Sequence, residues 1–314
     1  MCYKKIDMQQ PNDILLSKLY ADNQDMLLNS GDLLSSHIKY KIKNINTNEY
    51  TKENIENTLE NINIDVILND AKNLAMKVSH VDKFYDFANE KILDKYTYQH
   101  SVRVCIYATL LGIALNLSKK ELTDLAAASL LHDIGKQCID DEILNKPAKL
   151  TDEEYEKIKK HAEIGYNMLK DNEDISIKIK MGVYAHHENY DTTGYPRHLG
   201  GEDIYKFARI IHIVDVYDAL ISKRPYKKPM SPKLAIKYLK KNKETMFDPM
   251  LVDLFIYIVP VYPKGKLVKL SNGEKGIVIK NYKGNVLRPK IRLLDGKEIS
   301  LKKDTNYKYI EIIS

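Results

Sequence analysis

Glu121-Leu122-Thr123-Asp124-Leu125-Ala126-Ala127-Ala128-Ser129-Leu130-Leu131-His132-Asp133-Ile134-Gly135-Lys136 sets the helical character of the chain. Leu122, Leu125, Ala126, Ser129 and Leu130 recur at three- and four-residue intervals, the spacing of one face of an α-helix. Continuing that stripe carries His132 and Asp133 inward, where a polar pair on an apolar face demands an explanation. Two further stretches repeat the pattern. One places His161 with Ile158, Ala162, Gly165, Met168 and Leu169 on a single helical face. The other runs from about Phe207 to Ile221 and sets Asp215 on a stripe with Ala208, Ile211 and Ala219. Residues 64–259 therefore read as an all-α bundle.

The periodicity changes on both sides of this bundle. Residues 1–63 alternate short apolar clusters with turn chemistry such as Asn29-Ser30-Gly31-Asp32, and read as a small mixed α/β cap. After Pro260 the pattern becomes alternating, with hairpin signals at Asn272-Gly273 and Asp295-Gly296, so 260–314 is expected to be a small β module. The expected fold class is mainly α, with these two small appendages.

Composition narrows the functional classes. A chain of 314 residues, 44% apolar and 29% charged, can bury an enzyme-sized core and is neither disordered nor fibrous. Cys2, Cys105 and Cys138 are odd in number and unpaired in spacing, which argues against a disulfide framework or a thiolate zinc site and fits a reducing cytoplasm. The longest apolar runs are too short for a membrane span. The net charge of +6 reads as a mild excess spread along the chain, which points to no specific nucleic-acid partner.

Chemistry concentrates in seven residues of the helical region: His100, His132, Asp133, His161, His186, His187 and Asp215. A lone histidine on an apolar face is most often a hydrogen-bonded core residue. Seven together are another matter, because Asp133 and Asp215 would be costly to desolvate as carboxylates without a cation to balance them. Imidazole and carboxylate ligands without thiolate suit iron, manganese or zinc, and an aspartate can bridge two ions. A di-metal site follows.

His132-Asp133-Ile134-Gly135-Lys136 matches an HD signature, and His186-His187-Glu188-Asn189-Tyr190-Asp191-Thr192-Thr193-Gly194-Tyr195-Pro196 matches a GYP signature. With His100, Asn145-Lys146-Pro147, His161-Ala162-Glu163-Ile164-Gly165 and Asp215-Val216-Tyr217-Asp218-Ala219 in order, roughly residues 64–258 resemble the HD-GYP phosphodiesterases. The resemblance implies hydrolysis of cyclic di-GMP to pGpG, GMP or both. It implies that His100, His132, Asp133 and Asp215 hold one divalent ion, that Asp133, His161, His186 and His187 hold a second, and that Asp133 bridges them. Iron or manganese ranks ahead of zinc. Tyr96 stands where some relatives carry a glutamate for a third ion, so two are expected. Asp133 and Lys136 would take part in catalysis. Lys136, Arg224 and Lys227 would face the substrate phosphates, and Gly194-Tyr195 would shape the pocket.

Two departures stand out. Thr192 replaces a glycine of the GYP motif although a β-branched residue resists positive φ, and Asp140 replaces a proline. His37, His80, His198 and His212 carry no assigned chemistry, while Asp218 and Glu188 read equally well as supports for the site or as ordinary hydrogen-bonding residues. The substrate would be a cyclic dinucleotide, and a homodimer or signalling partners would engage the terminal regions. Two alternatives stay open: a different cyclic dinucleotide or nucleotide as substrate, and a catalytically silent cyclic-dinucleotide receptor.

Overall fold

A computed structural model describes residues 96–146, 148–222, 229–259, 261–262 and 264–313. The N-terminal cap expected over 1–63 lies outside the described residues, as do Arg224 and Lys227. The described chain opens with helices α1 (Tyr96–Ala114), α2 (Lys119–Leu131) and the short α3 (Asp141–Leu144). These are followed by α4 (Asp152–Lys159), α5 (His161–Leu169), α6 (Ile177–Ala185) and α7 (Lys206–Ile221). Helices α8 (Pro232–Lys241) and α9 (Pro249–Ile258) complete the bundle.

Local chemistry sets the helix starts. Ser118 and Glu121 form a reciprocal capping box at α2, and Thr151 and Glu154 form another at α4, each satisfying two otherwise unpaired donors. Pro232 and Pro249 occupy first turns behind Ser231 and Asp248, where the missing N–H costs nothing. The stripe read through Ile158 to Leu169 as one helix is instead two, because the chain breaks at Lys160 between α4 and α5. That break puts His161 at the head of a helix whose buried face includes Ala162, Gly165, Met168 and Leu169.

Four antiparallel strands close the described chain: β1 (Leu267–Lys269), β2 (Lys275–Lys280), β3 (Lys290–Leu293) and β4 (Glu298–Ser300), adjacent in that order. Gly273 and Gly296 adopt φ 91° and 90° in the two expected hairpins, a conformation that needs glycine. One face of the sheet, carrying Val268, Val278, Ile291, Leu293 and Ile299, joins the same core as Leu111, Leu125, Ile213 and Phe255 of the helices. At its centre Tyr107, Tyr217 and Phe255 meet edge to face at 5.1–6.0 Å. This core fixes α1, α2 and α7, the elements that carry His100, His132 and Asp215.

Candidate metal centre

Three histidines of the site are held by one local device. The last carbonyls of a helix have no partner within it. His132 follows α2 directly, His186 follows α6 directly, and His161 follows α4 by two residues. Each donates its Nδ1 proton to the carbonyl three residues earlier, at 2.7 Å from Ser129, Val183 and Ile158 respectively. That bond fixes ring orientation and tautomer and leaves Nε2 with a free lone pair aimed inward. His100 reaches the same end differently. Its Nδ1 lies 2.8 Å from Asp218 Oδ2, and Arg103 grips both oxygens of that fully buried carboxylate.

Glycine makes the approach possible. A Cβ on Gly135 would stand 2.0 Å from the carbonyl oxygen of His161, so the turn after Asp133 can lie against the start of α5 only without a side chain. Gly194 plays the same part in the GYP loop, where a Cβ would stand 2.1 Å from the Asn189 nitrogen. Tyr195 N–H donates to His187 O at 3.1 Å there, and the Tyr195 ring stacks on His187 with centroids 4.7 Å apart. Glu188, buried, accepts from the Arg197 and Leu199 amides at 2.6 and 3.1 Å and ties the far end of the loop. Thr192 does adopt φ 73°, so the β-branched side chain sits in the left-handed region the sequence argued against. Asp140 caps α3 through the Glu142 amide, a local role away from the cluster.

The seven residues converge as two groups. Asp133, His161, His186 and His187 offer one ligand atom each within 4.8 Å of one another, and so do His100, His132 and Asp215. Asp133 faces both. Its Oδ1 lies 3.4 Å from His161 Nε2 and 4.0 Å from His186 Nε2. Its Oδ2 lies 3.4 Å from His132 Nε2 and 3.9 Å from His100 Nε2. His161 Nε2 stands 3.2 Å from the Nε2 atoms of both His186 and His187, and His100 Nε2 stands 3.0 Å from Asp215 Oδ1. Lys136 Nζ reaches Asp133 Oδ2 at 2.6 Å.

Charge follows from this crowding. Burial works against ionised Asp133, but the polar groups around it, the Lys136 ammonium at 2.6 Å among them, outweigh it and hold the carboxyl well below its ordinary range. Burial likewise opposes Asp215, and hydrogen bonding to His100 holds it well below too. Burial pushes His161 down to about 4 and His186 and His187 well below the ordinary imidazole value, so all three are neutral, the form that ligates. His100 also loses by burial, yet Asp215 and Asp218 on either side raise it to about 9.

These residues fit a divalent cation. His132 Nε2 and Asp133 Oδ1 are buried and make no hydrogen bond. Native interiors rarely leave a buried nitrogen lone pair and a carboxylate oxygen unpaired side by side, and an electrophile between them removes the cost. Oxygen and imidazole donors without sulfur suit iron, manganese or zinc.

A family model described as HD domain matches residues 88–251. The chain belongs to the HD-domain family. The HD domain binds divalent metal, and the two clusters are where the described residues could hold it. A cyclic di-GMP phosphodiesterase of Pseudomonas aeruginosa is 37% identical over 219 residues, covering 70% of this chain and 53% of that one. The cyclic di-GMP phosphodiesterase response regulator RpfG of Xanthomonas campestris is 40% identical over 155 residues, 49% of this chain and 41% of the relative. The 3'3'-cGAMP-specific phosphodiesterase 2 of Vibrio cholerae is 36% identical over 205 residues, 65% of this chain and 38% of the relative. The HD-domain chain thus spans about half the length, or less, of these curated relatives. A solved HDG"Y"P protein from Bdellovibrio bacteriovorus overlaps with TM-score 0.46 at 17% identity, covering 75% of this chain and 79% of that one. No helix among the described residues is long and apolar enough to cross a membrane.

Sequence reasoning left two supports of this HD domain undecided or unassigned. Asp218 sits one turn after Asp215 on α7, the same face, which is the signal that points to a shared site. His212 sits three residues before Asp215 and is buried. It lies 2.8 Å from His186 O through Nδ1 and 3.1 Å from Asn189 Oδ1 through Nε2, holding the segment that carries His186 and His187.

Proposed function

We propose that this HD-domain chain is a cytoplasmic metal-dependent phosphodiesterase that hydrolyses cyclic di-GMP to pGpG, GMP or both. The observation that carries the reading is Asp133: its two oxygens face different clusters of inward imidazoles, the disposition a bridging carboxylate needs. In this reading His100, His132, Asp133 and Asp215 hold one ion, and Asp133, His161, His186 and His187 hold the other. Iron or manganese is favoured over zinc. When bound, a pair of divalent ions supplies Lewis acidity, polarising a phosphoryl oxygen and acidifying water.

The chain's own residues supply the rest. Cleavage to a linear dinucleotide adds water to phosphorus and breaks its bond to a ribose 3′ oxygen, which must gain a proton. Lys136, partly open to solvent on the turn after Asp133, is assigned as donor from Nζ to a phosphoryl oxygen and to that leaving oxygen, a reading supported by its 2.6 Å ion pair with Asp133 beside both clusters. Arg224 and Lys227 are assigned to the remaining phosphates on the sequence signature alone. Tyr195, stacked on His187, forms a pocket wall with the Gly194 turn. Residues 64–259 make the catalytic unit of this proposal, with 260–314 appended to it.

The test pairs metal analysis with turnover on cyclic di-GMP, 3'3'-cGAMP and pGpG, because relatives named for both cyclic dinucleotides resemble the chain. Expected are about two ions per chain and hydrolysis of cyclic di-GMP, with both lost in His132→Ala and Asp133→Ala. Substoichiometric metal without turnover of any nucleotide would leave a receptor, and turnover of 3'3'-cGAMP alone would reassign the substrate.

A further inference from the structure

The charge of this chain is not evenly spread, contrary to the first reading of its composition. Residues 260–314 carry thirteen lysines and arginines against five acids, an excess larger than that of the whole chain. The strand register shows where part of it lies. Lys269 stands directly opposite Lys275, Ile277 opposite Arg292, and Lys280 opposite Lys290, and cross-strand partners share a face. The irregularity between Val278 and Lys280 is what turns Lys280 to the side of Lys290. These residues project from the face opposite the core-facing Val268, Val278 and Ile291.

Like charges directly opposite one another destabilise a sheet. Glu298 offsets one pair, with Lys290 at 2.6 Å and Arg292 at 2.8 Å. Lys269 and Lys275 make no ion pair among the described residues. Edge protection is the usual reason for lysines on strands, yet Lys275, Lys280, Lys290 and Arg292 lie on the two central strands. Neither edge protection nor an ion pair among the described residues accounts for Lys275 and Lys280.

Aliphatic side chains are interleaved with it. Leu267, 58% exposed, pairs across the strands with Ile277, 42% exposed. Leu294, 69% exposed, follows β3 and donates its amide to Lys275 O. Ile313, 56% exposed, lies beside Lys269, its backbone N–H donating a hydrogen bond to Lys269 O at 2.9 Å.

We propose that this outer sheet face is a docking surface for an anionic lipid bilayer. Charge complementarity and side-chain type choose the occupant. Protein interfaces are depleted in lysine and enriched in aromatic rings and arginine, and single-stranded nucleic acid is gripped by stacking on aromatic rings. The strand positions of this face carry four lysines and one arginine against Glu298 alone, and no aromatic ring; one ring, Tyr282 just after β2, has its centroid 5.9 Å from Lys280 Nζ. Lysines over headgroups and aliphatic side chains at the acyl boundary are what a membrane interface accepts.

The test is co-sedimentation of the full chain with vesicles of phosphatidylcholine alone or mixed equally with phosphatidylglycerol. Binding is expected to the mixed vesicles only, and to weaken with salt. Lys269→Gln with Lys275→Gln should lower partitioning about 30-fold, at roughly fivefold per lysine. Leu267→Ser with Ile277→Ser should lower it while keeping the salt dependence. Lys157→Gln with Lys170→Gln, on exposed lysines of α4 and just after α5 rather than of the sheet, is the charge-matched control and should bind as wild type. Equal binding to phosphatidylcholine, no binding to the mixed vesicles, or equal loss in the control would overturn the proposal. So would a salt-dependent complex with single-stranded RNA, in the absence of vesicle binding, that the Lys269 and Lys275 changes abolish.

Discussion

Replacing Asp218 by Asn tests whether the site depends on a carboxylate that orients a ligand, His100, without being one of the seven candidate ligands itself. Asp218 is fully buried, accepts two hydrogen bonds from Arg103 and lies 2.8 Å from His100 Nδ1. Asparagine keeps the shape but removes the charge and turns one acceptor into a donor facing donors. Breaking a fully buried pair costs about 3–5 kcal/mol. Arg103 is about one-fifth exposed and can turn to water, so about 2–3 kcal/mol is the expected loss of stability in urea denaturation. Burial opposes the ionised form of Asp218, but bonds from His100 and Arg103 hold its pKa below the ordinary 3.8. Such a group stabilises the fold above the unfolded pKa and ceases to do so as pH falls through the folded value. The gap between wild type and Asp218→Asn in metal-free protein should therefore be full at neutral pH and close below pH 3.8. Metal affinity should fall about 10- to 100-fold, the usual effect of losing a partner that orients a ligating histidine. Equal metal affinity in a variant destabilised as expected would refute the positioning role. An undiminished stability gap in strong acid would refute the electrostatic account.

Three further outcomes are expected. Lys136→Met should leave metal content near wild type by elemental analysis while lowering kcat at least about 100-fold, as for loss of a donor to developing charge; loss of metal instead would make Lys136 structural. Gly194→Ala forces a Cβ to 2.1 Å from the Asn189 nitrogen, so the loop must shift and carry His187 with it. A loss of about 1–3 kcal/mol in thermal melts is expected, together with weaker metal retention. Stripping divalent ions with a chelator should lower stability by about 3 kcal/mol for a site held at 100 times its Kd, recoverable on adding manganese.

Much of this HD domain is legible along the chain because helices announce themselves by spacing. The stripe from Leu122 to Leu130, the run from Phe207 to Ile221 and the Asn272-Gly273 and Asp295-Gly296 hairpins are local patterns, and the structure forms each where it was expected. The break at Lys160 was not legible, since the apolar spacing runs unbroken from Ile158 to Leu169 while the backbone turns. The seven candidate ligands stood out by residue type and motif, because paired buried acids and repeated histidines are costly without a purpose.

Which residues could do chemistry and which segments would be helical is written in the order of amino acids, since residue type and periodicity are properties of the chain. How they meet is not. That each Asp133 oxygen faces a different cluster, and that helix-end carbonyls aim His132, His161 and His186 inward, depends on distances between segments far apart in sequence. The same holds for the grip of Arg103 and His100 on Asp218, and for Gly135 lying against the His161 carbonyl. Each is a contact set by how helices pack, and packing is fixed by the whole core at once rather than by any stretch of it.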